Sequence, residues 1–141
     1  KTRPMKPYRT KARKLPGTQF AEVYKKALTL YWNLIKNKKR RPYLRSVYFK
    51  KSKIFLPLFW QHLHEKLNLK DKTRRVRYFP CAIELLEKSR FDPVSKENPN
   101  RRSEILHRFA GITPDNEIFF VQVKEDKNSG EKFLISIFPL N

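Results

Sequence analysis

The sequence predicts an α+β domain, with N-terminal helices packed on one face of a C-terminal antiparallel β-meander. Two observations carry this expectation. Apolar residues recur at three- and four-residue steps early in the chain and switch to period two in the last third. The two connections within that last third, 111–116 and 126–130, are of hairpin length and rich in turn formers. Helices first and strands last is the pattern of helices laid on one antiparallel sheet. With 141 residues the chain has the size of one domain and buries roughly two thirds of its unfolded surface.

Residues 1–17 carry seven cations together with Pro4, Pro7, Pro16 and Gly17 and lack apolar periodicity, so they read as a basic flexible arm. Residues 18–141 then form a single domain, with a helical basic part over 18–90 and the sheet over 103–139. From Thr18, a plausible N-cap, the residues Phe20, Val23, Tyr24, Ala27, Leu30, Tyr31 and Leu34 share one helical face. Lys36 to Arg41 ends that helix and Pro42 blocks its continuation. A second helix is expected over about 54–67, where Leu56, Phe59, Trp60, Leu63 and Leu67 share a face and Pro57 fits only the first turn. A third begins near Pro80 and runs toward Ser89. Residues 91–102 hold two prolines and several turn formers and read as loop. Ser103–Ala110, Glu117–Glu125 and Lys132–Phe138 are the strands.

The net charge lies entirely in the first half of the chain. Residues 1–75 hold 23 of the 33 Lys and Arg against three acids, whereas the remainder holds ten of each. Such a half reads as a polyanion-binding surface beside a conventional core. It is not a solvated tail, because it also holds 11 of the 19 aromatic residues. Cations that track phosphates and rings that stack on bases suit RNA or single-stranded nucleic acid. The candidate nucleic-acid-binding residues are Lys36, Lys38, Lys39, Arg40, Arg41, Lys50, Lys51, Lys53, Arg74 and Arg75. Trp32 and Trp60 read as core rather than as stacking platforms.

Other classes are disfavoured. The lone Cys81 forms no internal disulfide and fits a reducing compartment, and His62 and His64 lack partners at zinc-ligand spacing, so no metal or cofactor is expected. The longest apolar run, Ile54 to Trp60, contains Pro57 and is too short to span a bilayer. A cytoplasmic protein without membrane contact is the expectation.

Alternation along the strands assigns their faces. Phe119, Val121 and Val123, with Phe133, Ile135 and Ile137, are expected to meet the helices. The opposite face collects Gln122, Lys124 and Ser136, with whichever of His107 or Arg108 lies on it.

The strings Arg77-Tyr78-Phe79-Pro80-Cys81-Ala82-Ile83-Glu84-Leu85-Leu86, Leu106-His107-Arg108-Phe109-Ala110-Gly111-Ile112-Thr113, Val121-Gln122-Val123-Lys124-Glu125-Asp126 and Ser136-Ile137-Phe138-Pro139 resemble phage- and mobile-element-borne domains related to the barnase, colicin and RelE-type ribonucleases. The resemblance spans about residues 73–139 and is one of arrangement with a few shared words. It implies a metal-independent, toxin-type endoribonuclease whose active residues line the exposed sheet face. Carried over by position, His107, Arg108, Lys124, Gln122 and Ser136 are its catalytic candidates. Cleavage by the 2′-hydroxyl needs a base, an acid and cations on the phosphorane. His107 is suited to proton transfer and Arg108 or Lys124 to the phosphate, with Glu104 on the face of Arg108. The expected partners are RNA or another nucleic acid and an acidic protein inhibitor or antitoxin. The alternatives are a non-enzymatic nucleic-acid-binding accessory protein of a mobile element or ribonucleoprotein, and a module that pairs with an acidic protein.

Overall fold

The computed structural model describes residues 5–34, 41–66 and 68–140. Residues 5–17 run against the domain and make specific contacts with it. Tyr8–Arg9 form strand β1, paired in parallel with Gly111 and Ile112. Glu84 accepts hydrogen bonds from the Tyr8 hydroxyl (2.8 Å) and from the backbone N–H groups of Lys11 (3.0 Å) and Ala12 (2.8 Å). Arg13 pairs with Asp115 and Lys14 with Glu117, while the Leu15 N–H donates to the Arg77 carbonyl. Acids of the neutral half thus answer the cations of the first segment, which composition by halves could not reveal.

Burial alone would push the Glu84 carboxyl up, yet the N–H donors of Lys11 and Ala12 and the Tyr8 hydroxyl together hold it below the ordinary carboxylate range. A depressed carboxylate contributes stability that is complete above its unfolded pKa of about 4.3 and is lost as pH falls through the folded value. Glu84→Gln is therefore expected to speed hydrogen exchange at residues 8–12 at neutral pH, and acid below about pH 4 to do the same to the wild type. Unchanged exchange at those amides in Glu84→Gln would show that this carboxylate does not tether the segment.

Helix α1, Phe20–Leu34, buries Val23, Ala27 and Tyr31 on its apolar stripe, but Trp32 lies off the stripe and is 60% exposed, contrary to its expected place in the core. Two short strands follow, β2 (Tyr43–Ser46) and β3 (Ser52–Phe55), joined by a turn in which Lys50 and Lys51 have left-handed φ of 56° and 69°. The residues at 54–55 are accordingly strand rather than the start of a helix. Helix α2 runs Pro57–His64, with proline in its first turn, and buries Phe59, Trp60 and Leu63. Helix α3, Leu69–Arg77, was not legible in its cationic sequence; Asn68 caps it by accepting from the Asp71 N–H at 3.0 Å. Helix α4 spans Phe79–Lys88 and is the most buried of the four described helices.

The 91–102 stretch expected as loop contains β4, Val94–Asn98, which forms a hairpin with β5, Arg101–Ile112. Strands β6 (Ile118–Asp126) and β7 (Lys132–Pro139) complete the set. The expected C-terminal antiparallel meander is corrected by the topology. Among the described residues there is one seven-stranded mixed sheet, a half-barrel of order β1-β5-β6-β7-β3-β2, with β4 also on β5. Its β1–β5 and β3–β7 pairs are parallel, and four of its strands precede β5 in the chain. The helices are interleaved with these strands rather than gathered ahead of them.

The core face of the sheet bears Leu44, Ile54, Phe109, Phe119, Val121, Val123, Leu134 and Ile137, all buried. The expected pattern of β7 is shifted by a bulge: Gln122 pairs with Ser136 and Val123 with Leu134, leaving Ile135 as the extra residue. Leu134 therefore enters the core, and Phe133 and Ile135 do not. At Gly111 a Cβ would lie 2.4 Å from the Phe119 ring and 2.8 Å from Leu85. Phe119 has no room to retreat, being fully buried and stacked on Tyr78 at 5.2 Å. Gly111→Ala is expected to destabilise by about 1–3 kcal/mol, the cost of overpacking. A urea midpoint equal to wild type would show that this approach relaxes freely.

Candidate nucleic-acid interface

The other face of the sheet is built from residues that alternate with the core set. Across β2, β3 and β7, Tyr43, Phe55 and Phe133 form a row with successive ring centroids 6.1 and 5.9 Å apart. Across β6 and β7, Phe120 and Phe138 lie 5.5 Å apart. Cations sit over both groups. Arg41 lies 3.9 Å from the Phe55 centroid and Lys53 4.7 Å from Tyr43, while Lys124 is 5.4 Å from Phe133 and Arg108 5.3 Å from Phe138. Such contacts stabilise a cation by about 0.5–2 kcal/mol without neutralising it.

Four of the catalytic candidates meet on this face. Arg108 donates to the Gln122 side-chain oxygen (3.4 Å), Gln122 is the register partner of Ser136, and Lys124 pairs with Glu104 at 3.5 Å. Arg75, from α3, donates to the Ser136 hydroxyl at 3.3 Å while Asp71 holds its Nε at 2.8 Å. Between α2, α3 and β7, Arg75, Gln122 and Ser136 border a cleft of about 210 Å³ that His62, Lys66 and Ile135 also line. The sequence marks His62 only as lacking partners at zinc-ligand spacing. Its position became visible only once α2 was seen to lie along the part of β7 beyond the pairing with β3.

Of His107 and Arg108, between which alternation left the choice open, Arg108 is the one on this face. His107 pairs with Val123 in register and so points to the core face, 7% exposed. Its Nε2–H donates to Glu125 at 2.8 Å, because a carboxylate accepts, and its Nδ1 hydrogen-bonds with the Ser95 hydroxyl at 2.7 Å. Phe49 closes over it edge-on at 5.0 Å. This hydrogen-bonded series ties β4, β5 and β6 together and leaves the imidazole away from the cationic face.

Of the binding candidates, Lys36, Lys38, Lys39 and Arg40 lie outside the described residues. Arg41 also pairs with Glu131. Lys50 and Lys51 are exposed at the β2–β3 turn, Lys53 is on the aromatic row, and Arg74 is on α3 beside Asp71. Among the described residues no group of three His, Cys, Asp or Glu side chains is placed to hold a metal ion, and no helix is long and apolar enough to cross a membrane. Buried Cys81 has its thiol pushed up to about 11, chiefly by burial. Comparison of the chain with family models, curated proteins and solved structures finds no match in any of the three.

Proposed function

We propose that the cationic and aromatic sheet face carries a strand of RNA and that the α2–α3–β7 cleft cleaves it. The observation that supports this best is the placing of cations directly over partly exposed rings on one continuous face. Phosphates find Arg41, Lys53, Arg108 and Lys124, and unstacked bases find ring faces, the combination that single strands require.

In the cleft, Arg75 and Lys66 offer charge to a phosphodiester and Ser136 and Gln122 offer hydrogen bonds. The reaction proposed is attack of the 2′-oxygen on phosphorus: the 2′-O–P bond forms, the P–O5′ bond breaks, the 2′-hydroxyl proton passes to His62, and the 5′-oxygen takes a proton from water. No step calls for a metal. A second reading, binding without cleavage, is favoured by the sequestration of His107, which removes the imidazole that the sequence pointed to.

The test is the affinity for an unstructured RNA measured against salt. Binding to a single strand loses about 0.7 of a unit of log–log slope per phosphate contact removed. The triple change Lys53→Ala, Arg108→Ala and Lys124→Ala is expected to flatten the slope by about 2 units. An unchanged slope would place the RNA elsewhere on the molecule.

A further inference from the structure

The cationic face and its cleft leave one hydrogen-bonded series unused, that of Ser95, His107 and Glu125 on the other side of the sheet. Register assembles it. Ser95 of β4 lies opposite His107, His107 lies opposite Val123 of β6, and Glu125 follows Val123 on the same face of that strand. The imidazole is sequestered, whereas Ser95 is exposed on β4. A carboxylate, a buried imidazole and a solvent-facing hydroxyl, joined at 2.8 and 2.7 Å, are the three groups by which a serine is made nucleophilic.

We propose that Ser95 is a nucleophile toward a small neutral carboxylic ester, with His107 as its base and Glu125 as the residue that positions the base. In the neutral imidazole the single proton sits on Nε2 toward Glu125, which leaves the Nδ1 lone pair facing the Ser95 hydroxyl. Serine proteases use the two ring nitrogens in the opposite order, but such a triad is defined by its contacts and roles. Attack forms the Oγ–C bond while the Oγ proton passes to Nδ1. The C–O bond to the alcohol then breaks, and the alcohol leaves with that proton. Water, giving a proton to Nδ1, attacks the acyl-serine; the C–Oγ bond breaks, Oγ regains a proton and the acid is released. Among the described residues β4 pairs only with β5, so alternate N–H groups along its outer edge have no strand partner and serve the developing oxyanion. The charge of Glu125 disfavours an anionic substrate, and the half-buried Phe49 ring, 5.0 Å from the imidazole, offers an apolar wall to the acyl group.

The test treats the folded full chain with an alkyl fluorophosphonate, whose P–F bond breaks as a nucleophilic serine forms an Oγ–P bond, and locates the adduct by peptide mass spectrometry. Release of p-nitrophenol from p-nitrophenyl butyrate reads the ester reaction beside it. A single adduct at Ser95 and a stoichiometric burst are expected, both lost in Ser95→Ala. His107→Gln, which keeps a hydrogen-bonding amide between Ser95 and Glu125 but has no base, is expected to slow labelling at least about 10²-fold. Glu125→Gln is expected to slow it at least about tenfold, and serves the same end if His107→Gln lowers the melting temperature. Absence of a Ser95 adduct, labelling at the wild-type rate in His107→Gln and Glu125→Gln, or ester cleavage that persists in Ser95→Ala would overturn the proposal and reduce the series to a tie between strands. The RNA reading is independent of these outcomes, and Ser95→Ala is expected to leave the salt dependence of RNA affinity unchanged.

Discussion

Phe119→Asp is expected to abolish the cooperative unfolding transition, whereas Ile135→Asp is expected to keep it. Phe119 is fully buried, stacked on Tyr78 and pressed against Gly111, so a carboxylate there has neither water nor a cation. Desolvating an unpaired charge costs several kcal/mol, on top of the roughly 3–5 kcal/mol lost with the ring, against a total stability of about 5–15 kcal/mol. Ile135 is the bulged residue of β7, half-buried at the mouth of the cleft near Arg75 and Lys66, where a carboxylate stays hydrated beside cations. Urea denaturation followed by circular dichroism separates the two. A native-like transition in Phe119→Asp, or its loss in Ile135→Asp, would show that the bulge does not set the faces as described.

His62→Ala is expected to slow RNA cleavage at saturation by about 10²–10⁴-fold, the range for losing a general base, with affinity little changed. His107→Ala is expected to leave the cleavage rate within a few-fold of wild type and to lower stability by about 1–3 kcal/mol, because Glu125 loses its buried partner. Single-turnover cleavage of a short labelled RNA, run beside thermal melts, reads both effects. The opposite pattern, with His107 controlling the rate and His62 silent, would move the chemistry to the core-side edge of the sheet. RNA left intact by wild-type protein would favour binding without cleavage.

What the residues made legible followed from periodicity. The apolar stripe of α1, the proline-led starts of α2 and α4, and the three long strands near the C-terminus all leave signals within one window of sequence. What was missed depended on long-range pairing. Strands β2 and β3 are four residues each, flanked by cations, and find their place only through pairing with each other and of β3 with β7. Strand β1 consists of two residues that mean nothing until β5 lies beside them. The sheet-face assignment failed at Ile135 because a bulge inserts one residue into a period of two, and nothing in Phe133-Leu134-Ile135-Ser136 announces it. The site followed the same division. Gln122, Lys124 and Ser136 were grouped by alternation along β6 and β7, with the choice between His107 and Arg108 on β5 left open. The register of β5 puts Arg108, opposite Gln122, on that face and His107, opposite Val123, on the other. Arg75 and His62 reach the cleft from α3 and α2, helices whose approach to β7 no local pattern encodes.

The most direct test of the central claim is to map where RNA lies on the folded chain. Ultraviolet cross-linking of an oligonucleotide carrying 4-thiouridine, followed by peptide mass spectrometry, captures rings in contact with bases. Cross-links are expected at Tyr43, Phe55, Phe120, Phe133 and Phe138, the rings of the cationic sheet face. Cross-links confined to α1 at Trp32, with those five rings unmarked, would contradict the account and place the nucleic acid away from the cationic sheet face.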